Sequence, residues 1–254
     1  YAQRVPEDGW VVGCGDEKRV RSVLESVSCR TRTYGLEPQN EVRAEDISYD
    51  ENGCALFTAT LYGHPLTDVE LQVPGEHNVK NALAVIAVAS LFSLPMSLVA
   101  ETLHEFRGVH RRYELTSVTD GVRVYQDYGH NPTETRNVLH VARIQAPQKL
   151  WAVLQPHTYS RVKTLFRDYI HCCDLADEVL VTDIFAAREK DPGDIHATML
   201  VKAMQAEGVP AHYTPTFDDA EAYLRAHWQP GDLVITLGCG DIYKASKMMV
   251  EKDQ

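Results

Sequence analysis

Asp127-Tyr128-Gly129-His130-Asn131-Pro132-Thr133-Glu134 packs a carboxylate, a phenol and an imidazole into one short stretch. Apolar Val122 and Val124 precede it at strand spacing, so Asp127 falls at the C-terminal end of a strand. Asn131, Pro132 and Glu134 read as N-cap, N1 and N3 of the next helix, a capping box. Capping leaves Asp127, Tyr128 and His130 unexplained. In open α/β sheets such strand-end turns bind ligands; an Asp there can hold a pair of ribose hydroxyls, and a His can donate or carry a proton.

Two more strand-end turns have a similar make-up. Gln155–Arg161 offers His157 and Arg161 to a carboxylate or a phosphate; the plainer reading is a solvated loop. Thr182–Glu189 offers Asp183 and Arg188, which either orient an amine and a carboxylate or pair with each other. Gly238-Cys239-Gly240 permits a tight turn into a helix but lacks the third glycine of a dinucleotide fingerprint. Nothing near Cys239 in sequence makes it a nucleophile.

Earlier in the chain, Gly75–Asn81 opens a helix with Asn78 and Asn81 on one face of its first turn. Their amides suit the edge of an adenine, and the helix dipole favours phosphate nearby; alternatively Asn78 caps the helix. Arg111-Arg112 is either a phosphate clamp or a solvated pair. The dipeptide Gly-Lys occurs nowhere, so a GxxxxGK[ST] triphosphate cradle is lacking.

The elements that must position these residues alternate strand and helix. Gly9–Cys14 reads as a strand. Asp16–Val27 reads as a helix capped by Asp16, with Val20, Val23, Leu24 and Val27 on one face, and Arg30–Tyr34 as a second strand. From Val42 to Val73 the alternation and turn residues predict two or three antiparallel strands. Helices follow over Asn78–Leu94, stopped by Pro95, and over Ser97–Phe106. Beyond a boundary at Gly108–Arg112 the strands expected are Tyr113–Val118, Val122–Asp127, Lys149–Leu154, Glu178–Thr182, Ala211–Tyr213 and Asp232–Leu237. The helices are Pro132–Ile144, Ser160–Cys173, Ile195–Ala206, Phe217–His227 and Asp241–Val250. That pattern predicts an α/β fold with a doubly wound sheet.

The 254 residues suffice for one large domain or two ordinary ones. A net charge of −11, from 36 acidic and 25 basic residues, argues against duplex nucleic acid as a partner. The longest apolar run, Ala82–Ala89, falls short of the ~20 residues of a membrane span, and no signal peptide is read. Six cysteines without a CxxC pair fit free thiols in a reducing cytoplasm and no zinc site. Residue 1 is Tyr, and the opening YAQRVP reads as the middle of a longer chain, so a fragment or processed product is expected.

Taken in order, GEHNVKNALA (75–84), GVHRRYE (108–114), QDYGHNPTE (126–134), LQPHTYSR (154–161), TDIFAAREK (182–190) and LGCGDIYK (237–244) resemble the Mur ligase family. The resemblance covers nearly the whole chain. It implies that residues 1–108 are the last part of a central ATPase domain, without its phosphate loop. Residues 109–254 would be a C-terminal Rossmann-like domain. It further implies a cytoplasmic, ATP- and Mg2+-dependent reaction of peptidoglycan synthesis, joining L-alanine to UDP-N-acetylmuramate through an acyl phosphate. The main Mg2+ ligands and the UDP-sugar site are expected upstream, and the chain alone is expected to be inactive.

Carried over by motif, His77, Asn78 and Asn81 would contact adenine, Arg112 the ATP phosphates and Asp127 the ribose. His130, His157 and Arg161 would face the substrate and the incoming amino acid, with His130 and Arg161 catalytic. Tyr128, Asp183 and Arg188 would help bind substrate. No residue here would ligate metal, and no nucleic acid, membrane or oligomeric state is implied. The family motif usually reads Asp-Asp-Tyr-x-His-His-Pro; Gln126 and Asn131 replace its first Asp and second His, and Thr158 stands where many relatives have Arg. Two other readings remain: a murein-tripeptide recycling ligase of the same family, and a non-catalytic nucleotide-binding module.

Overall fold

The structure, a computed structural model, describes residues 2–250, and the chain divides after Arg107 into two compact units. In the first unit, strands β1 (Trp10–Cys14), β2 (Arg30–Gly35), β3 (Val42–Tyr49), β4 (Cys54–Leu61) and β5 (His64–Pro74) form one sheet in that order. β1, β2 and β3 run parallel, whereas β3, β4 and β5 are antiparallel. Two or three antiparallel strands were expected and three are present; their fusion to the parallel pair rests on a short register, Tyr34 with Val42 and Gly35 with Arg43.

Helix α1 (Lys18–Glu25) is shorter than its periodicity suggests, and Val23, expected on the apolar face, is 47% exposed. Asp16 does not cap it; Glu17 occupies the cap position and makes no side-chain cap bond. The Asp16 carboxylate instead accepts from the N–H groups of Leu36 and Glu37 and from the Asn40 amide at 2.7 Å. Burial raises the Asp16 carboxyl, but these donors outweigh it, and the group sits below its ordinary value. An aspartate that answers a loop about twenty residues away is invisible to cap rules.

Helix α2 (Glu76–Leu91) lays Val79, Ala82, Leu83, Ile86 and Ala87 on the sheet. It begins two residues before the predicted start and ends before Pro95, since Ser93 turns left-handed at φ 53°. Pro95 becomes the N-cap of α3 (Met96–Glu105).

The second unit contains β6 (Glu114–Thr119), β7 (Val122–Asp127), β8 (Leu150–Leu154), β9 (Glu178–Val181), β10 (Ala211–Tyr213) and β11 (Leu233–Leu237). Their order is β10-β9-β8-β11-β7-β6, parallel except for β6 at one edge. α4 (Pro132–Ile144), α6 (Phe166–Ile170) and α7 (Ala197–Ala206) pack with Leu150, Ala152 and Leu154 in one core. α8 (Phe217–His227) and α9 (Tyr243–Met248) pack with Trp151 and Val153 in another. Alternate residues of β8 thus serve opposite faces, the two-sided burial expected of a doubly wound sheet.

Most boundaries here lie within two residues of those expected. One helix differs in kind: Ser160–Cys173 breaks at Leu165 into α5 (Tyr159–Thr164) and α6, and α9 covers only part of Asp241–Val250. β11 enters the sheet between β8 and β7, so the strand order reverses there. Crevices for ligands open at the carboxyl ends of strands around such a switch point.

Candidate functional site

The C-terminal ends of β7, β8, β9 and β11 present the turns singled out in the sequence. After β7, Asn131 caps α4 by accepting the N–H of Glu134 at 2.9 Å. The reciprocal bond of a capping box is displaced: the Glu134 carboxylate takes the N–H of His130, not that of Asn131. Both bonds fix the backbone beneath His130, and the Tyr169 hydroxyl adds a third by donating to the His130 carbonyl at 2.6 Å.

Asp127 is 4% exposed. Its two carboxylate oxygens accept from the N–H groups of Gly129 (2.6 Å) and Tyr113 (2.7 Å). Burial raises its carboxyl above the ordinary range, although those N–H donors and Arg112 oppose the shift. In this conformation Asp127 shapes its own turn, and only its remaining lone pairs are left for a ribose.

His157, after β8, lies beside His130, with ring centroids 5.8 Å apart, and stacks on Phe185 from the turn after β9. Backbone bonds from Phe185 to Pro156 and from Thr158 to Phe185 join those two turns. Arg161, one helical turn on, donates to His157 Nδ1 at 3.2 Å, and its charge bears on the Cys239 thiol. Burial, then the Arg161 charge and His130, hold the His157 imidazole below its ordinary value, favouring the neutral ring. Cys239 is pushed up by burial, as befits a thiol and not a thiolate.

The bonds that lock this cluster were not legible as motifs. Gln155, 5% exposed, donates to Asp241 at 2.9 Å and accepts the N–H of Ile242. Gly240 has to be a glycine because a Cβ there would lie 2.5 Å from Gln155 Oε1. Glu189 accepts both the N–H and the hydroxyl of Ser160, which ties the β9 turn to the start of α5 and lowers the Glu189 carboxyl.

Asp183 and Arg188 do not pair. Asp183 is held by the Tyr213 hydroxyl and faces His196 at 3.8 Å, while Arg188 is exposed on the turn. The Arg pair splits as well. Arg112 is exposed, 5.3 Å over the Tyr128 ring, whereas Arg111 is half-buried and bonded to backbone.

In the first unit, Gly75 at φ 99° leads into α2 and makes no side-chain cap. Asn78 is not the cap; it sits in the first turn and donates to the Pro74 carbonyl at 2.8 Å. The exposed Asn81 donates to Asn78 Oδ1 at 3.1 Å, so the two amides do share a face. His77 is half-buried in the same turn.

The family profile described as Mur ligase middle domain matches residues 2–89, and that described as Mur ligase, glutamate ligase domain matches residues 111–240. A UDP-N-acetylmuramate–L-alanine ligase of Acetivibrio thermocellus is 40% identical over 255 residues, covering 100% of this chain and 54% of that protein. The chain therefore spans about half the length of this curated relative. The crystal structure of UDP-N-acetylmuramate–alanine ligase from Thermotoga maritima superposes with a TM-score of 0.73 at 26% identity, covering 91% of this chain and 54% of that one. A murein peptide ligase from Psychrobacter arcticus gives a TM-score of 0.74 at 20% identity, covering 98% and 52%, which is a likeness of fold.

Proposed function

The chain belongs to the Mur ligase family, and from that premise we propose that it is part of an ATP-dependent ligase joining L-alanine to UDP-N-acetylmuramate. Members of the family are ATP-dependent ligases. The observation that carries the reading is the joint presence of 40% identity along the whole chain to an alanine ligase and a convergent His130–His157–Arg161 cluster at the strand ends. The tripeptide-recycling reading shares these motifs, and a murein peptide ligase shares the fold at 20% identity.

In the proposed reaction a carboxylate oxygen of the muramyl group takes the γ-phosphoryl of ATP, giving an acyl phosphate and ADP. The amine of L-alanine, having lost a proton from its ammonium form, attacks the acyl carbon. The tetrahedral intermediate then expels phosphate, leaving the amide. This chemistry needs a proton acceptor for the ammonium and cations for the oxyanions.

The hydrogen bonds divide those tasks. His130 Nδ1 lies 3.1 Å from the Tyr128 carbonyl, which can only accept, so its proton is on Nδ1 and the Nε2 lone pair is open. His157 Nδ1 accepts from Arg161, so its proton is on Nε2. His130 is thus the acceptor for the ammonium proton, and His157 a donor toward a carboxylate or phosphoryl oxygen, with Arg161 supplying positive charge. Tyr128, Asp183 and Arg188 border the substrate side, Asn78 and Asn81 with His77 offer amide edges to adenine, and Arg112 is an available cation for phosphate. Asp127 holds the turn from which a ribose would be bound. Mg2+ is commonly held by one or two carboxylates together with substrate phosphates, and this reading assigns its main protein ligands to the half of the relatives that this chain does not cover.

Nitrogen-15 correlation spectra of the imidazoles test the division of tasks. At alkaline pH, His130 is expected as the Nδ1–H tautomer and His157 as the Nε2–H tautomer; the same tautomer in both would remove the assigned roles. Because its folded value is depressed, His157 contributes stability that is full above about 6.5 and is lost as pH falls through the folded value. The substrate assignment is tested by placing the chain behind the upstream half of the Acetivibrio relative. L-Alanine should outcompete murein tripeptide as acceptor, and a preference for tripeptide would overturn the alanine reading.

A further inference from the structure

The more buried of the two adjacent arginines has contacts unlike those of any other cation among the described residues of the second unit. The Arg111 guanidinium donates to two carbonyls, Gly238 and Gly240, each at 3.1 Å. Its carbon lies 4.8 Å over the Tyr128 ring and 4.9 Å over the Tyr243 ring, so the group is flanked by two aromatic faces. Its backbone carbonyl takes the N–H of Tyr128 at 2.7 Å, and its own N–H goes to Glu114 at 2.8 Å. The residue holds this position at φ 62°, a left-handed conformation that a non-glycine residue adopts only when its surroundings fix it.

We infer that Arg111 is a positioning residue: it sets the glycine loop after β11 and the turn after β7 in register with each other, and so places the His130–His157–Arg161 cluster. The physical route is short. Both carbonyls it holds flank Cys239; Gly240 lies against the Phe185 ring, on which His157 stacks, and Arg161 in turn donates to His157. On the other side Arg111 fixes Tyr128 through backbone and ring, and the Tyr128 carbonyl fixes the tautomer of His130. Both carbonyl bonds come from Nη2; an ammonium could donate to two carbonyls as well, but it lacks the plane that stacks between the two rings.

The catalytic part of this inference rests on the ligase reading, but its test does not. Amide hydrogen exchange and imidazole NMR are measured on the chain as it is, in wild type, Arg111→Ala, Arg111→Lys and, as the neighbouring control, Arg112→Ala. Losing two hydrogen bonds is expected to speed exchange about tenfold over residues 238–242 in Arg111→Ala, with a smaller rise in Arg111→Lys. Strand β8 should be unchanged in both. The His157 titration should move up toward its ordinary value as the Phe185 ring against it is released, and Arg112→Ala should leave both readouts alone. Millimolar guanidinium should restore Arg111→Ala, and ammonium at the same concentration should not.

Two results would overturn the inference. One is unchanged exchange at 238–242 and an unchanged His157 titration in both Arg111 variants. The other is acceleration spread equally over β8 in both variants, which would make Arg111 a general stabiliser of the unit. If Arg111→Ala does not fold, Arg111→Lys alone decides between these outcomes.

Discussion

The two units bury apolar surface in different ways. In the second, every residue of β8 is buried, with Leu150, Ala152 and Leu154 under one layer of helices and Trp151 and Val153 under another. In the first, β4 buries Ala55, Phe57 and Ala59 but leaves Leu56 half-exposed on the opposite face. Helix α2 is apolar on more than its sheet-facing side. Val85 and Val88, with Leu94 and Leu98, line an open groove of about 560 Å³ between α2 and α3. The sheet that is covered on both faces finishes its own core; in the other unit the described residues leave an apolar helix face uncovered. An apolar run in sequence therefore identifies a packing surface without saying what lies on it.

The sharpest way to break this comparison is to open each core separately. Leu139 and Leu83 are both fully buried. Leu139→Ala should cost the second unit about 2–5 kcal/mol and Leu83→Ala should cost the first a similar amount. Hydrogen exchange during a urea titration reads the two units separately, and each variant should move only its own transition. A common shift in both would mean that the units unfold as one.

A smaller effect sets two carboxylates against each other, Asp16 half-buried and Asp127 buried. Asp16 in the first unit is held below its ordinary 3.8, so its contribution is full above that value and is lost as pH falls through the folded value. Asp127 in the second is held above 3.8, so its contribution is full below 3.8 and is lost as pH rises through the folded value. Asp16→Ala should cost the first unit about 1–3 kcal/mol near neutral pH, because the Leu36 and Glu37 N–H groups lose their acceptor. Removing each carboxyl should flatten its own unit's pH dependence, with opposite signs. Slopes of the same sign in urea titrations at a series of pH values would contradict the two assignments.

The smallest effect belongs to the open groove. Val85→Glu and Leu98→Gln replace side chains that are 49% and 56% exposed. Each should alter the stability of the first unit by no more than about 0.5 kcal/mol. A loss above about 2 kcal/mol would show that the face is packed and the comparison mistaken.

Much of the second unit was legible in the sequence because local rules govern it. Asn131 and Pro132 mark a helix start by short-range chemistry, and near-continuous burial matches the short apolar-rich runs of β7 and β8. What escaped depends on partners far along the chain. Asp16 bonds residues 20 and 21 positions away, Ser160 bonds Glu189 across 29, and Arg111 reaches glycine carbonyls 127 and 129 positions away. The break of one expected helix at Leu165 was hidden because both halves keep the same apolar spacing. His130, His157 and Arg161 were singled out as candidates because each stands at or just past a strand end, and the structure brings them near one another. Which nitrogen of each imidazole carries the proton needed the fold.

On the proposed reading this chain holds the amino-acid side of an alanine ligase, and its sequence has no GxxxxGK[ST] loop for the triphosphate. The direct measurement is ATP-dependent formation of UDP-N-acetylmuramoyl-L-alanine, followed by phosphate release and product mass. Residues 1–254 alone should form none, whereas the same chain placed behind the upstream half of the Acetivibrio relative should form it. In that longer protein, Arg161→Ala should cut turnover about a hundredfold. Turnover by residues 1–254 alone would contradict the account.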